Sequence, residues 1–256
     1  MTDESKALLY SVENSVARIT LNRPEKRNAL NDELVGALKY SITAGAEAES
    51  VRVILISGAG PDFCSGADLA ELQKISEASV SENIDDARSL MELFMLMRQV
   101  SVPIVAAVHG KALAGGCGLA SACDIVLASA NARFGYPEVK IGFVPAMVMA
   151  ILRRNVSEKR AFELLTRGTE ISAEDAKEFG LATRVFAEEN FEAEVAIYLR
   201  AFEQMSKSAV ALTKALLYQI DGMSFGDALE TGVDVNVIAR MSEDCQKGIA
   251  GFLKKG

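Results

Sequence analysis

Residues 103–135 read PIVAAVHGKALAGGCGLASACDIVLASANARFG, and this stretch decides how the chain folds. Its first part, Pro103 to Val108, is a short apolar run typical of a buried strand. A glycine-dense turn over 110–118 leads into a helix, and the run Asp124 to Leu127 predicts the next buried strand. Because strands alternate here with turns and a helix, the stretch indicates an α/β fold.

The segment before this stretch extends the alternation towards the N-terminus. We expect a β-hairpin over 8–21, a helix from Asn31 to about Gly45 and a strand over 51–57. An amphipathic helix is predicted over 84–100, with one apolar side formed by Ile84, Ala87, Met91, Phe94 and Met95.

After residues 103–135, the alternation of strands and helices continues to about residue 190 and ends there. Helical patterns cover 145–155, 157–167 and 173–179, and a last strand is predicted over 182–186. Only helices follow, over 188–206, 208–221 and 225–239. We therefore divide the chain into an α/β core, residues 1–190, and a helical region, residues 191–256.

The composition is that of a globular protein and excludes several classes. The 256 residues carry a net charge of −8 and are 50% hydrophobic. Binding to nucleic acid is not expected, because it requires a basic face that the sequence lacks. The opening MTDESKALLY has no signal-peptide pattern and no run approaches the roughly 20 apolar residues of a bilayer span. We expect no membrane partner and a cytoplasmic location.

Neither a metal nor a bound cofactor is predicted. The four cysteines have neither zinc-site nor redox-pair spacing, and the sequence holds one histidine, His109. Cys64 and Cys117 lie beside glycines, but neither carries a nucleophile motif, and we interpret both as buried apolar residues. The glycines at 58–60 and 110 complete neither a dinucleotide fingerprint nor a phosphate-binding loop.

Two turns rich in small residues, FCSGADL (63–69) and ALAGGCG (112–118), each follow a predicted strand and precede a helix. Backbone N–H groups remain free at a helix N-terminus, where the helix dipole favours negative charge. Two such turns facing one point would form an oxyanion hole. The alternative is that small residues only allow a helix and a strand to pack closely.

The chain resembles the enoyl-CoA hydratase/isomerase, or crotonase, superfamily. The resemblance is carried by the 103–135 stretch together with LNRPEKRNALN (21–31), FCSGADLAEL (63–72), PEVKIGFVP (137–145) and ISAEDAKEFGLATRVF (171–186). It implies a spiral of β-β-α turns, a C-terminal helical region used for trimerisation, and a homotrimer or a homohexamer. It also implies an acyl-CoA substrate, whose coenzyme A is part of the substrate rather than a separate cofactor.

The resemblance also implies the catalytic residues. The backbone N–H groups of Ala67 and Gly115 would hold the thioester oxygen, and Glu138 would be the general acid/base. Without the resemblance, Glu138 would be interpreted as an ordinary solvated surface glutamate. The family commonly has a second glutamate on the helix that starts at the glycine turn, but here that position is Gly118.

Further residues are expected to bind the acyl-CoA. The resemblance places the basic residues Arg23, Lys26 and Arg27 near the coenzyme A phosphates, and Lys254 and Lys255 in a tail that can reach a neighbouring subunit's ligand. Around the thioester it places Ser65, Gly66, Ala67, Asp68, Leu69 and Gly115, although Asp68 is most simply an N-cap. The residues Ala146, Met147 and Val148, where many relatives have glycines, indicate an altered pocket wall.

Three functions remain open. An enoyl-CoA hydratase is favoured, with a Δ3,Δ2-enoyl-CoA isomerase as the alternative, because moving a double bond needs only one proton-shuttling carboxylate. A non-catalytic binding or scaffold protein is the third. If the missing carboxylate limits hydration, Gly118→Glu is expected to raise the rate of crotonyl-CoA hydration about tenfold or more.

Overall fold

An N-terminal hairpin begins the fold in the computed structural model, which describes residues 7–254 apart from the side chain of Leu69. Strands β1 (Leu8–Glu13) and β2 (Val16–Leu21) pair antiparallel, as predicted. The two turn residues, Asn14 and Ser15, have φ values of 49° and 62°. Positive φ at both central residues matches the right-handed twist of the strands that they join.

A six-stranded sheet forms the centre of the molecule, in the order β1-β2-β3-β4-β6-β9, and is parallel from β2 onwards. A three-stranded sheet, β5-β7-β8, lies beside it. The remaining strands are β3 (Val53–Gly58), β4 (Ile104–Val108), β5 (Lys111–Leu113), β6 (Ile125–Ser129), β7 (Arg133–Gly135), β8 (Ile171–Ser172) and β9 (Arg184–Phe186).

Two successive turns of the chain each contribute one strand to the large sheet and the next strand to the small sheet. β4 of the large sheet is followed directly by β5 of the small one, and β6 is followed in the same way by β7. A helix comes after each pair, so the repeating unit is strand, strand, helix. The structure therefore confirms the α/β spiral of β-β-α turns.

The helices with described residues surround these sheets. They are α1 (Asp32–Glu47), α2 (Leu69–Glu77), α3 (Val80–Gln99), α4 (Gly115–Ala122), α5 (Ala146–Asn155), α6 (Glu158–Arg167), α7 (Ala173–Phe179), α8 (Phe191–Arg200), α9 (Lys207–Gln219), α10 (Phe225–Met241) and α11 (Glu243–Leu253). None of them combines the length and hydropathy needed to span a bilayer.

Both faces of the large sheet are covered, which is why its central strands are continuous apolar runs. On one face, α1 buries Leu34, Leu38 and Ile42 in the main core. On the other, α8 buries Phe191 and Val195 in a second cluster against the strands. The first helix after residue 190 is therefore part of the sheet packing.

Three sequence predictions differ from the structure. The helix predicted over 84–100 begins earlier, at Val80, where Ser79 and Glu82 form a capping box. It buries Leu93, Phe94 and Met97, whereas Ile84, Met91 and Met95 of the expected apolar side are exposed. The helix expected over 188–206 is divided between α8 and short 3-10 turns on either side, and α11 was not predicted.

Candidate active site

A cavity of about 750 Å³ lies between the two small-residue turns and helices α1, α2, α3 and α5. Its lining includes four residues predicted from the sequence: Ser65, Ala67, Gly115 and Glu138. Residues far apart in the chain thus meet at one apolar space, which is the usual form of a small-molecule site.

The first turn is held by backbone hydrogen bonds that leave one donor free. Leu30 N donates to Gly66 O at 2.6 Å and Asp68 N donates to Leu30 O at 3.1 Å, which fixes the residues on both sides of Ala67. The Ala67 N–H itself meets no acceptor within residues 7–254. Gly66 has a φ of 99°, and a β-carbon there would lie 2.7 Å from Ala114 Cβ. Only glycine allows the two turns to approach so closely.

The second turn supplies the neighbouring donor. Ala114 has a φ of 49°, a strained conformation for a residue with a side chain, and its N–H donates to Gly135 O at 2.8 Å. Helix α4 then begins at Gly115, whose N–H is a first-turn donor without an acceptor in the described part of the chain. A β-carbon on Gly66 would lie 3.5 Å from Gly115 N, so the two turns bring their free donors side by side.

Glu138 lies in a short 3-10 turn, Pro137–Ile141, and is half-buried in the same cavity. Its Oε2 atom is shielded from solvent and has no hydrogen-bond partner among the described residues. Burial raises the pKa of this carboxyl above its ordinary value. A buried carboxyl with a raised pKa is suited to general acid/base work near neutral pH.

Tyr136 anchors the turn that carries Glu138 to helix α4. Its side chain is fully buried, and its hydroxyl lies 2.9 Å from Ser121 Oγ. Ser121 Oγ donates in turn to Cys117 O at 2.6 Å within α4. Because α4 also carries Gly115, this network connects the turn that holds Glu138 with the helix that holds Gly115. The sequence analysis did not single out Tyr136, since its role depends on a contact between distant segments.

Val148 fills the space beside Gly118. A β-carbon on Gly118 would overlap Val148 Cγ1 and would lie 3.2 Å from Val148 Cβ and 3.5 Å from Phe94 Cζ. The gain in hydration expected for Gly118→Glu stays a prediction, and it requires Val148 of α5 to shift and make room for the added side chain. Ala146, Met147 and Val148 all line the cavity, so they form part of the pocket wall; that this wall differs from those of relatives stays a prediction.

The basic residues predicted to bind phosphates lie outside the cavity lining. Arg23 is engaged within the protein: its guanidinium donates to Ala29 O and forms an ion pair of 2.7 Å with Asp68. Lys26 and Arg27 are exposed, and Arg27 Nε lies 3.8 Å from Asp62. Phosphate binding by these residues stays a prediction, and the structure gives Arg23 a bracing role as well.

Asp68 caps helix α2 as predicted, because its carboxylate accepts from Ala70 N at 3.1 Å. This bond and the Arg23 guanidinium lower the pKa of Asp68. Leu69 begins α2, but its side chain lies outside the described residues, as does Lys255. Gly66 shapes the first turn without lining the cavity.

The cysteines next to the site are not nucleophiles. Cys64 and Cys117 are buried, and burial raises the pKa of their thiols to about 12 and about 11. Both therefore remain protonated near neutral pH. His109 contacts Gly60 O at 2.8 Å and takes no part in the cavity.

One end of the cavity is lined by acidic side chains that the sequence analysis did not predict. Asp32, Glu71 and Asp86 place carboxylate oxygens within 4.8 Å of one another. Lys74 forms ion pairs with Asp32 and Glu71. The sequence gives little signal for this group, because the residues come from three helices.

Comparison with known proteins agrees with this geometry. A family model described as enoyl-CoA hydratase/isomerase matches residues 11–256. The 2,3-dehydroadipyl-CoA hydratase of Escherichia coli is 34% identical over 250 residues, covering 97% of this chain and 96% of the relative. A Thermus thermophilus protein provisionally named an enoyl-CoA hydratase is 38% identical, covering 94% and 95%. The crystal structure of a Mycobacterium smegmatis enoyl-CoA hydratase superposes with a TM-score of 0.93 at 32% identity, covering 98% and 97%. The chain therefore belongs to the enoyl-CoA hydratase/isomerase family and has its crotonase fold.

Proposed function

We propose that this protein is an enoyl-CoA hydratase-like enzyme that uses Glu138 as its single acid/base on an acyl-CoA thioester. The observation that carries the proposal is the solvent-shielded Oε2 of Glu138, which has no partner within residues 7–254 and shares a cavity with the free N–H groups of Ala67 and Gly115. Such an arrangement costs folding free energy and has no structural purpose. It is what a proton-transferring site requires.

The thioester oxygen accepts from the Ala67 and Gly115 N–H groups. Charge builds on this oxygen when a nucleophile adds to the β-carbon, and two fixed donors stabilise it. Glu138 takes a proton from the attacking water while the oxygen of that water bonds to the β-carbon of the substrate. The carboxyl then returns a proton to the α-carbon, so that one water is added across the double bond and Glu138 is regenerated.

Double-bond isomerisation is the second candidate. Val148 occupies the space beside Gly118, so the wall there is apolar and offers no second carboxylate. Moving a double bond requires only that Glu138 remove a proton from one carbon and return it to another. A scaffold without activity is disfavoured, because it would need neither the free donors nor the buried carboxyl.

A panel of enoyl-CoA esters that differ in double-bond position tests the proposal. Hydration is expected to remove the ultraviolet absorbance of the conjugated enoyl thioester and to add the mass of one water. Isomerisation would instead create that absorbance from a Δ3 ester without a change in mass. Failure to turn over any ester would contradict the enzyme assignment.

The assembly and the location stay proposals as well. Helix α10 exposes apolar side chains at four-residue spacing, which form a stripe that winds gradually around the helix because four residues exceed one helical turn: Phe225, Leu229, Val233, Val237 and Met241. This stripe supports a homotrimer or homohexamer in which the C-terminal helices contact other subunits. We further propose a cytoplasmic enzyme that needs no cofactor beyond the coenzyme A of its substrate.

A further inference from the structure

Val148 forms a rigid part of the cavity wall. It projects from helix α5, is 5% exposed and lines the cavity. Its methyl groups pack against Gly118 of α4, and the ring of Phe94 of α3 lies on the same side of Gly118. A β-branched side chain in a helix has one strongly preferred rotamer, so Val148 cannot turn away to make room.

The position of Val148 relates it to the reacting carbons. Gly115 and Gly118 lie on the same helix, and three residues advance an α-helix by about 4.5 Å. The thioester carbonyl is held at Gly115, and the α- and β-carbons of the acyl group are the next atoms along the chain. Val148 of α5 packs against α4 at Gly118, about one turn beyond Gly115. Substituents on the α- and β-carbons therefore lie within reach of Val148.

We propose that Val148 is a specificity-determining residue that restricts the substrates to enoyl-CoA thioesters without a branch on the α- and β-carbons. The proposal rests on the proposed function, since the acyl group is positioned by the two oxyanion donors. A methyl branch would compete for space with the Val148 methyl groups, which are backed by helix α4 at Gly118. One additional carbon in an apolar pocket changes affinity by about tenfold or more.

Binding measurements with unreactive saturated esters test this directly. Titration calorimetry compares butanoyl-CoA with 2-methylbutanoyl-CoA and 3-methylbutanoyl-CoA. The wild-type protein is expected to bind butanoyl-CoA about tenfold more tightly than at least one of the branched esters. Val148→Ala should reduce that preference at least about fivefold. Val148→Ile should increase the preference for the unbranched ester. This variant adds volume to the wall and creates no cavity.

Val195→Ala is the matched control. Val195 is 6% exposed, close to the value for Val148, but lies on α8 outside the cavity. Its substitution should leave the preference unchanged. Equal wild-type binding of all three esters would overturn the proposal, and so would a preference that neither Val148 variant alters.

Failure of the proposed function gives a different result. If the wild-type protein discriminates among the saturated esters as expected and the Val148 variants change that preference, but the protein turns over no enoyl-CoA, the specificity role of Val148 stands and the catalytic assignment fails. If it turns over unbranched enoyl-CoA but binds branched and unbranched esters equally, the catalytic assignment stands and the role of Val148 fails.

Discussion

Glu138 shows what a single residue contributes at this site. Its carboxyl is withdrawn from water and has no partner within the described residues for Oε2, although an ionised carboxylate normally seeks hydrogen bonds when it is buried. The surrounding fold tolerates this cost because Tyr136, two residues earlier, is held to α4 through Ser121. Catalytic power at this residue is therefore expected to come at the expense of stability.

Glu138→Gln is expected to lower kcat by about 10²- to 10⁴-fold, because the amide cannot shuttle protons. Binding of a saturated acyl-CoA should persist, since little volume changes. Steady-state kinetics and calorimetry measure the two effects. Turnover close to that of the wild type would remove Glu138 from the mechanism.

The pH dependence follows from the raised pKa of Glu138. The residue must be ionised to accept a proton, so kcat/KM should fall on the acidic side with a midpoint above the ordinary glutamate pKa of about 4.3. A raised carboxyl pKa also means that the ionised form destabilises the folded state. Glu138→Gln should therefore have a higher Tm than the wild type above that midpoint, and the difference should shrink as the pH falls further and vanish only below the ordinary glutamate pKa. An acidic limb at the ordinary glutamate value would contradict the burial of this carboxyl.

The sequence motifs were sufficient to predict which residues meet at the cavity, but not how their neighbours hold them. Ala67, Gly115 and Glu138 were all identified before the structure, and the structure brings them to one cavity. The Arg23–Asp68 ion pair and the contact between Val148 and Gly118 were not predicted. Both are contacts between segments distant in the chain, and such contacts leave no local pattern.

At the scale of elements, helix α4 takes part in two contacts of the site. Its N-terminus leaves the Gly115 N–H without an acceptor among the described residues, and its body packs against α5 with no side chain at Gly118. The same helix receives the Tyr136 anchor through Ser121. A shift of α4 would therefore disturb the oxyanion donor and the acid/base turn together.

Gly115→Pro is expected to be nearly inactive, because proline has no N–H for the thioester oxygen and one such donor is worth roughly 10²–10³ in rate. Proline is tolerated at the first position of a helix, where this N–H has no helical partner. Gly115→Ala is the matched control, since it keeps the N–H and places its β-carbon 3.2 Å from the end of the Leu30 side chain. Circular dichroism must show both variants folded. A folded and fully active proline variant would exclude Gly115 as a donor.

Gly118→Ala tests the contact between α4 and α5. The added methyl overlaps Val148, and overpacking of this kind costs about 1–3 kcal/mol in the free energy of unfolding. Val148→Ala in the same chain should recover part of that loss, so the two substitutions should not be additive. Urea denaturation of the four proteins in the cycle provides the measurement. Additive effects would show that the two residues do not compete for space.

The order of the elements was predicted well because long periodic runs signal their own structure. The hairpin, α1 and the strands of the large sheet all appeared near their predicted bounds. The small sheet was not predicted, because β5, β7 and β8 have only two or three residues each and too little length for a periodic signal. Tertiary pairing rather than local preference makes them strands.

At the scale of the whole molecule, the C-terminal helices leave apolar surface that a single chain does not cover. Phe225 at the start of α10 is 81% exposed, and the stripe continues to Met241. Contiguous apolar surface of this kind marks an interaction site. Identical helices from other subunits would bury the stripe and give the assembly its stability.

A trimer or a hexamer is therefore expected in solution. Light scattering at micromolar concentration should give three or six times the chain mass of 27.4 kDa. Leu229→Glu places a charge in the middle of the stripe and should shift the mass towards that of one chain, because an unpaired charge is costly to bury. Glu230→Gln on the same helix is the control and should keep the mass of the wild-type protein. A wild-type protein with the mass of one chain would overturn the expected assembly.

The buried Lys214 sets a limit on how this chain can be shortened. Lys214 of α9 donates to Asp124 at 2.7 Å and to Met97 O and Val102 O, while Tyr218 donates to the other oxygen of Asp124. Asp124 lies two residues after the end of α4, the helix that begins at Gly115. Removing one member of a buried ion pair costs about 3–5 kcal/mol, a large part of the 5–15 kcal/mol that stabilises a typical domain. A shortened fragment would therefore have to retain α9, whatever becomes of the helices beyond residue 219 that are expected to form the assembly.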